Sequence, residues 1–188
     1  FVEEIGLDSL NISCMLGHSL GEYTALTASN YLSIKDCSVL LKKRGELMQN
    51  AFEPNKSGMV AIIGMSSDKI DSIINKNNLE LEIANDNSPN QIVISGIVKN
   101  LAESEVHFKN AGAKRFVFLN VSAAFHSKIM KEAENKLLEL IKKTNFNNPK
   151  IPIISNYDPQ ISTNIEILIN NLCNQMSNRV RWVESINM

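Results

Sequence analysis

The chain has 188 residues, 44% of them hydrophobic, and a formal net charge of −1. That length allows one substantial domain or a core with a smaller insertion, and the balanced charge excludes bulk attraction to nucleic acid or an acidic membrane. No apolar run is long enough to span a bilayer, and no secretory leader is visible.

In chain order, residues 1–11 read as a helix end broken near Gly6, and residues 12–16 as a short apolar strand. A helix is expected over residues 22–32. A second follows from Ser33, a capping residue, with Val39, Leu40, Leu47 and Met48 at helical spacing and Arg44 and Glu46 among them. After the loop at residues 53–58, strand signals at 59–65, 79–84, 91–95 and 114–121 alternate with helices at 69–77 and 98–110. Ser67 and Asp68 are expected to cap the first of these helices, and residues 85–90 read as a turn cluster. The order strand, helix, strand, strand, helix, strand is the split βαβ, ferredoxin-like unit. Residues 122–127 then form a loop into a helix that ends at residues 147–149. A buried strand at 151–155, a polar loop and a last helix follow.

Cys14, Cys37 and Cys173 give neither a zinc spacing nor an even disulfide framework. They read as free thiols in a reducing compartment, the cytoplasm, with no metal. The chain opens at Phe1 and its last residues enter an unclosed helix, so a piece of a longer protein is expected.

The chemistry centres on Gly17-His18-Ser19-Leu20-Gly21. Gly-x-Ser-x-Gly between strand and helix is a nucleophile elbow, with side chains excluded at both glycines and Ser19 pushed out. The plainer alternative is a tight turn with a capping serine. A serine nucleophile needs a base. Of the three histidines, His107 lies mid-helix and His18 is too close in sequence to turn onto its neighbour, although it can line the site. His126, in a loop before a helix, is left as the base; the plainer alternative is a helix-capping or half-buried structural histidine. The N–H of Leu20 is one oxyanion donor. Arg44, on an apolar helix face, needs an anionic partner. That partner is either an internal carboxylate, Glu46 or Glu22, or a substrate carboxylate; the sequence leaves both open.

Residues 17–26, Gly-His-Ser-Leu-Gly-Glu-Tyr-Thr-Ala-Leu, closely resemble the elbow of the malonyl-CoA:acyl carrier protein transacylases of fatty-acid synthesis, relatives of polyketide-synthase acyltransferase domains. The likeness continues through Arg44-Gly45-Glu46-Leu47-Met48-Gln49, residues 58–64, 87–96 and 111–115, Phe125-His126-Ser127 and residues 175–182. It implies an α/β fold: an α/β-hydrolase-like parallel-sheet core (residues 1–56 and 122–188) with an inserted ferredoxin-like subdomain (57–121). It also implies Ser19 as the acylated nucleophile, His126 as base, Arg44 as the malonate ligand, and the backbone carbonyl of Gln175 as the group that orients His126. Met48 and Phe125 would line the acyl pocket, and Ala124-Phe125-His126 resembles the malonyl-selective pattern. No bound cofactor is implied. The substrates would be malonyl-CoA and phosphopantetheinylated acyl carrier protein, the latter also the partner of a monomeric enzyme.

The family's opening Gly-Gln-Gly-Ser-Gln loop and its C-terminal Gly-Pro-Gly segment have no counterpart here. The isolated piece is therefore expected to be inactive or nearly so. The rival functions are a serine esterase or thioesterase, which would need an acidic triad member and a later histidine, and a non-catalytic carrier-binding module.

Overall fold

The structure is a computed structural model and describes residues 10–148 and 151–188. The helix end expected over residues 1–11 falls outside the described residues for 1–9, as does Pro149. The fold is α/β, with two sheets that each face a separate hydrophobic core.

The first sheet carries the elbow. Strand β1 (Met15–Leu16) runs parallel to β6 (Ile153–Ile154), and β7 (Ile161–Ser162) lies antiparallel on the far side of β6. Both β1 and β6 are shorter than the apolar runs predict, because ladder pairing covers only Met15↔Ile153 and Leu16↔Ile154. The small strand β7, in what reads as a polar loop, was not expected. Helix α1 spans Leu20–Ala28, starting earlier and ending sooner than predicted. Its end is a Schellman turn: Asn30 takes φ 65°, Tyr31 N–H reaches Leu26 O (2.8 Å) and Asn30 N–H reaches Thr27 O (3.0 Å). Tyr31 and Leu32, predicted as the last helical turn, are buried beyond it.

Helix α2 (Ile34–Gln49) starts at Ser33, whose hydroxyl accepts from Asp36 N–H at 2.9 Å. Its buried positions Cys37, Leu40, Arg44 and Met48 form one stripe. That stripe packs into a core shared with α1, α5 (Lys131–Ile141) and α6 (Ile165–Asn174). Arg44 thus occupies a core position, pointing the way of its apolar neighbours.

The second sheet is antiparallel with order β3-β4-β2-β5, built from β2 (Ser57–Ile63), β3 (Leu81–Ser88), β4 (Gln91–Ile97) and β5 (Arg115–Phe118). Strand β2 is central and buried on both faces. Val60 and Ile62 face a core closed by Ile70 and Ile74 of α3 (Ser67–Lys76) and Leu101 and Phe108 of α4 (Val98–Asn110). Met59 and Ala61 point the other way, toward Leu119 and Phe125. The cap expected at Ser67 and Asp68 is absent: Ser66 is the N-cap residue, without a side-chain cap bond, and Ser67 Oγ instead accepts from Arg179.

Strand β3 runs through residues 85–88, predicted as a turn; only Pro89 and Asn90 turn the hairpin. Polar residues tolerate this strand because its end meets another segment. Val180 N–H bonds Ala84 O (2.8 Å), Asp86 N–H bonds Val180 O (3.0 Å), and Arg179 Nη2 pairs with Asp86 Oδ2 (2.7 Å). The segment after α6 therefore reaches the second sheet and then turns into α7 (Trp182–Asn187). Among the described residues no helix is long and apolar enough to cross a membrane.

Candidate active site

The elbow depends on one glycine. A Cβ at Gly17 would sit 2.0 Å from Gly21 O, an impossible approach to backbone. Gly21 has open space at the same test, so only the first glycine is sterically required here. Ser19 takes φ 52°, ψ −104°, in the left-handed half of backbone space that costs a non-glycine residue about 1–3 kcal/mol. Ser19 occupies the N-cap position of α1 but makes no side-chain cap bond. This removes the capping alternative and leaves Oγ for other partners.

Those partners are His126 and Arg44. Ser19 Oγ lies 2.8 Å from His126 Nε2 and 2.8 Å from Arg44 Nη2. His126 Nδ1 is 3.0 Å from the carbonyl oxygen of Gln175. A carbonyl only accepts, so Nδ1 carries the proton and Nε2 is the acceptor for the Ser19 hydroxyl. Arg44 can only donate, so Oγ receives from Arg44 while it donates to His126. Burial, helped by the Arg44 charge, pushes the His126 pKa down to about 3. The imidazole is thus neutral at ordinary pH, the form a base requires.

Arg44 is 6% exposed, and burial lowers its pKa from the usual guanidinium range. Neither internal carboxylate neutralises it through an ion pair. Glu46 sits on the outer face beside Lys43 (3.7 Å). Glu22 is buried but accepts from Gln175 Nε2 (2.7 Å) and Asn156 N–H (3.1 Å). Arg44 Nη2 also donates to Gln175 Oε1 (3.2 Å), and its guanidinium lies 5.6 Å from the Tyr23 ring centroid. Its Nε is buried with no partner among the described residues. A buried cation with spare donors beside the Ser19 hydroxyl is suited to bind an anion.

The Leu20 N–H is the first of α1 and has no acceptor among the described residues, so it points from the positive end of the helix as an orphan donor. His18 turns away from Ser19: its Nε2 is 2.8 Å from Asn87 Oδ1, and its ring meets Trp182 edge-on at 5.2 Å. Met48 is buried one helical turn beyond Arg44, and Phe125 is half-buried where the two cores meet. His107 lies in α4, on the second sheet.

The side chains of three polar residues around Ser19 have contacts that the sequence reading did not show. Gln175 was noted only for its carbonyl, yet its side chain joins Arg44, Ser19 O (3.0 Å) and Glu22. Glu22 was considered only as a partner for Arg44. Asn156 was not considered at all. A signal existed for it: β1 and β6 are parallel neighbours, so the residues just after each emerge together. Among the described residues no cluster of three or more His, Cys, Asp or Glu is placed to hold a metal.

The family model described as "Acyl transferase domain" matches residues 10–187. The chain is 39% identical over 175 residues to the malonyl CoA-acyl carrier protein transacylase of Bacillus subtilis, covering 91% of this chain and 55% of that protein. Its structure resembles that of the malonyl CoA-acyl carrier protein transacylase of Coxiella burnetii, with a TM-score of 0.92 and 35% identity over 98% of this chain and 58% of that one. A malonyl-transacylase solved in complex with a type II polyketide-synthase acyl-carrier protein also aligns at TM-score 0.92, with 34% identity over 99% of this chain and 60% of that one. The chain therefore spans little more than half the length of the relatives it matches.

Proposed function

The chain belongs to the acyl transferase domain family, and from that premise we propose that the protein it forms part of is an acyl carrier protein S-malonyltransferase of fatty-acid synthesis. The observation that carries this reading is the placement of Ser19 Oγ at 2.8 Å from both a neutral imidazole and a buried guanidinium with spare donors. A hydrolase of simple esters has no use for that cation. A malonyl group has a free carboxylate for it.

In the first half-reaction Arg44 holds the malonyl carboxylate. Ser19 Oγ attacks the thioester carbonyl as His126 Nε2 takes its proton, and the Leu20 N–H stabilises the oxyanion. The C–S bond breaks and the coenzyme A thiolate leaves with the proton from His126. In the second half-reaction the phosphopantetheine thiol of the carrier protein attacks the malonyl-Ser19 carbonyl as His126 takes its proton; the ester C–O bond then breaks and Ser19 Oγ leaves with the proton from His126. The carbonyl of Gln175 keeps the imidazole in the required tautomer throughout, in place of a triad acid. Met48 and Phe125 are proposed as the acyl-pocket wall, and His18 as part of the rim. The same reading takes residues 57–121 as a ferredoxin-like subdomain inserted in a hydrolase-like core. The order β3-β4-β2-β5 with α3 and α4 closing the hydrophobic core on one face supports it. It also takes the enzyme as a cytoplasmic monomer.

The test is intact-mass analysis of the full-length protein after incubation with malonyl-CoA. A malonyl adduct is expected on the wild type and not on Ser19→Ala. No adduct on the wild type, or one that survives Ser19→Ala, refutes the proposal.

A further inference from the structure

Strands β1 and β6 are parallel and adjacent, so the backbone leaving β6 runs beside the elbow that leaves β1. Asn156 is the second residue after β6 and is fully buried. Each of its four polar groups is committed. Oδ1 accepts from Ser19 N–H at 2.6 Å, and Nδ2 donates to Gly17 O at 2.8 Å. Its own N–H donates to Glu22 Oε2 at 3.1 Å, and its carbonyl accepts from Arg181 N–H at 3.1 Å. The side-chain orientation is unambiguous, because an N–H needs the oxygen and a carbonyl needs the amide nitrogen.

These bonds fall on the backbone just ahead of the nucleophile. Gln175 Nε2 grips the other side, donating to Ser19 O at 3.0 Å. The peptide groups before and after the Ser19 Cα are thus held by two different side chains. Glu22 Oε2 receives from both Asn156 and Gln175 and ties them together. Ser19 needs such restraint, because φ 52° is a conformation that serine leaves when nothing opposes it. Relaxation about that bond would swing Oγ out of line with His126 Nε2 and Arg44 Nη2.

We infer that Asn156 is a positioning residue for the nucleophile: it pins the strained elbow through Gly17 O and Ser19 N–H so that Oγ stays between His126 and Arg44. It touches no reacting atom. The inference rests on the reading of Ser19 as nucleophile, and deepens it. Asn156→Ala removes both grips. Asn156→Asp keeps an acceptor for Ser19 N–H but sets an oxygen against Gly17 O.

The experiment uses the full-length protein and a fluorophosphonate probe, which needs no malonyl group. Ser19 Oγ forms the O–P bond, fluoride leaves, and the serine proton passes to His126. The rate of labelling per folded molecule is measured for wild type and both variants, beside single-turnover malonylation and thermal stability. Asn156→Ala is expected to slow labelling and malonylation about 100-fold. Its KM for malonyl-CoA should stay within about twofold, as for an interaction that acts on the chemical step. Asn156→Asp should lose about tenfold. Labelling at the wild-type rate per folded molecule overturns the inference, however far stability falls. If Asn156→Ala yields no folded protein, the same criterion applies to Asn156→Asp. A wild type that the probe does not label also overturns it. A wild type that is labelled but takes no malonyl group refutes the malonyl-transfer proposal instead, and the ratio of labelling rates still decides the role of Asn156.

Discussion

Substituting Arg44 with methionine separates substrate selection from the rest of the site. Methionine keeps much of the side chain's length and its packing beside Tyr23. Two losses are visible: the donor to Ser19 Oγ at 2.8 Å and the donor to Gln175 Oε1 at 3.2 Å. Leaving the buried amide oxygen unpaired costs about 1–3 kcal/mol. Against this, a buried guanidinium with no ion pair among the described residues disappears, together with its unpartnered Nε, a desolvation relief of several kcal/mol before relaxation. Stability is therefore expected to hold or rise. The malonyl carboxylate, however, loses its buried partner, worth about 2–5 kcal/mol or roughly 30- to 5,000-fold in kcat/KM. Acetyl-CoA has no carboxylate to lose, so its kcat/KM should change by less than about tenfold. The assay offers malonyl-CoA and acetyl-CoA together to the full-length protein and reads the adduct on Ser19 by intact mass. An Arg44→Met enzyme that folds and still prefers malonyl-CoA as strongly as the wild type refutes the role given to Arg44.

Glycine substitutions should divide sharply. Gly17→Ala, whose Cβ would lie 2.0 Å from Gly21 O, is expected to destabilise by about 3 kcal/mol or more, whereas Gly45→Ala, in mid-helix with open space, should stabilise by roughly 0.5–1 kcal/mol; denaturant titration checks both. Stability should also carry the signature of His126. Its pKa falls from 6.5 in the unfolded chain to about 3 in the fold. Between those values the unfolded chain binds the extra proton, so stability rises with pH across that window and is lost as pH drops from 6.5 toward 3, by roughly 4–5 kcal/mol in all. Glu22, whose carboxyl burial pushes up, acts with the opposite sign above pH 4.5, so wild type is compared with His126→Gln at each pH. A wild-type curve no steeper than that of His126→Gln counts against the buried neutral imidazole. The same depression keeps the base unprotonated, so Ser19 acylation should not fall between about pH 7 and pH 5, measured in single turnover.

Ser19, His126 and Arg44 were legible in the sequence because each sits in a local pattern: an elbow, a loop before a helix, a cation in an apolar stripe. The helices packed on both cores were legible from their periodicity. The strand ends were not. Residues 12–16 and 151–155 are mostly apolar, and apolarity reports burial, not pairing, so ladders of two residues looked like five. Residues 85–88 looked like a turn because they are polar; the Asn87 side chain meets His18, the Asp86 side chain meets Arg179 and the backbone pairs with Val180, and such long-range partners leave no local trace. Asn156, Glu22 and Gln175 belong to the same class. Their bonds to the elbow span sequence separations of up to 156 residues, apart from the short link from Glu22, so nothing adjacent in sequence announces them.

The group to which His126 Nδ1 hydrogen-bonds is a main-chain oxygen. No replacement of the side chain at position 175 can delete it. A mutational scan would therefore credit Gln175 only with what its amide does, the contacts to Arg44, Ser19 O and Glu22, and would miss its other contribution entirely. An ordinary catalytic acid can be lost in a single codon change. This acceptor disappears only if the chain itself shifts after α6, which makes the imidazole's alignment a property of the path of the backbone and shelters it from point substitution.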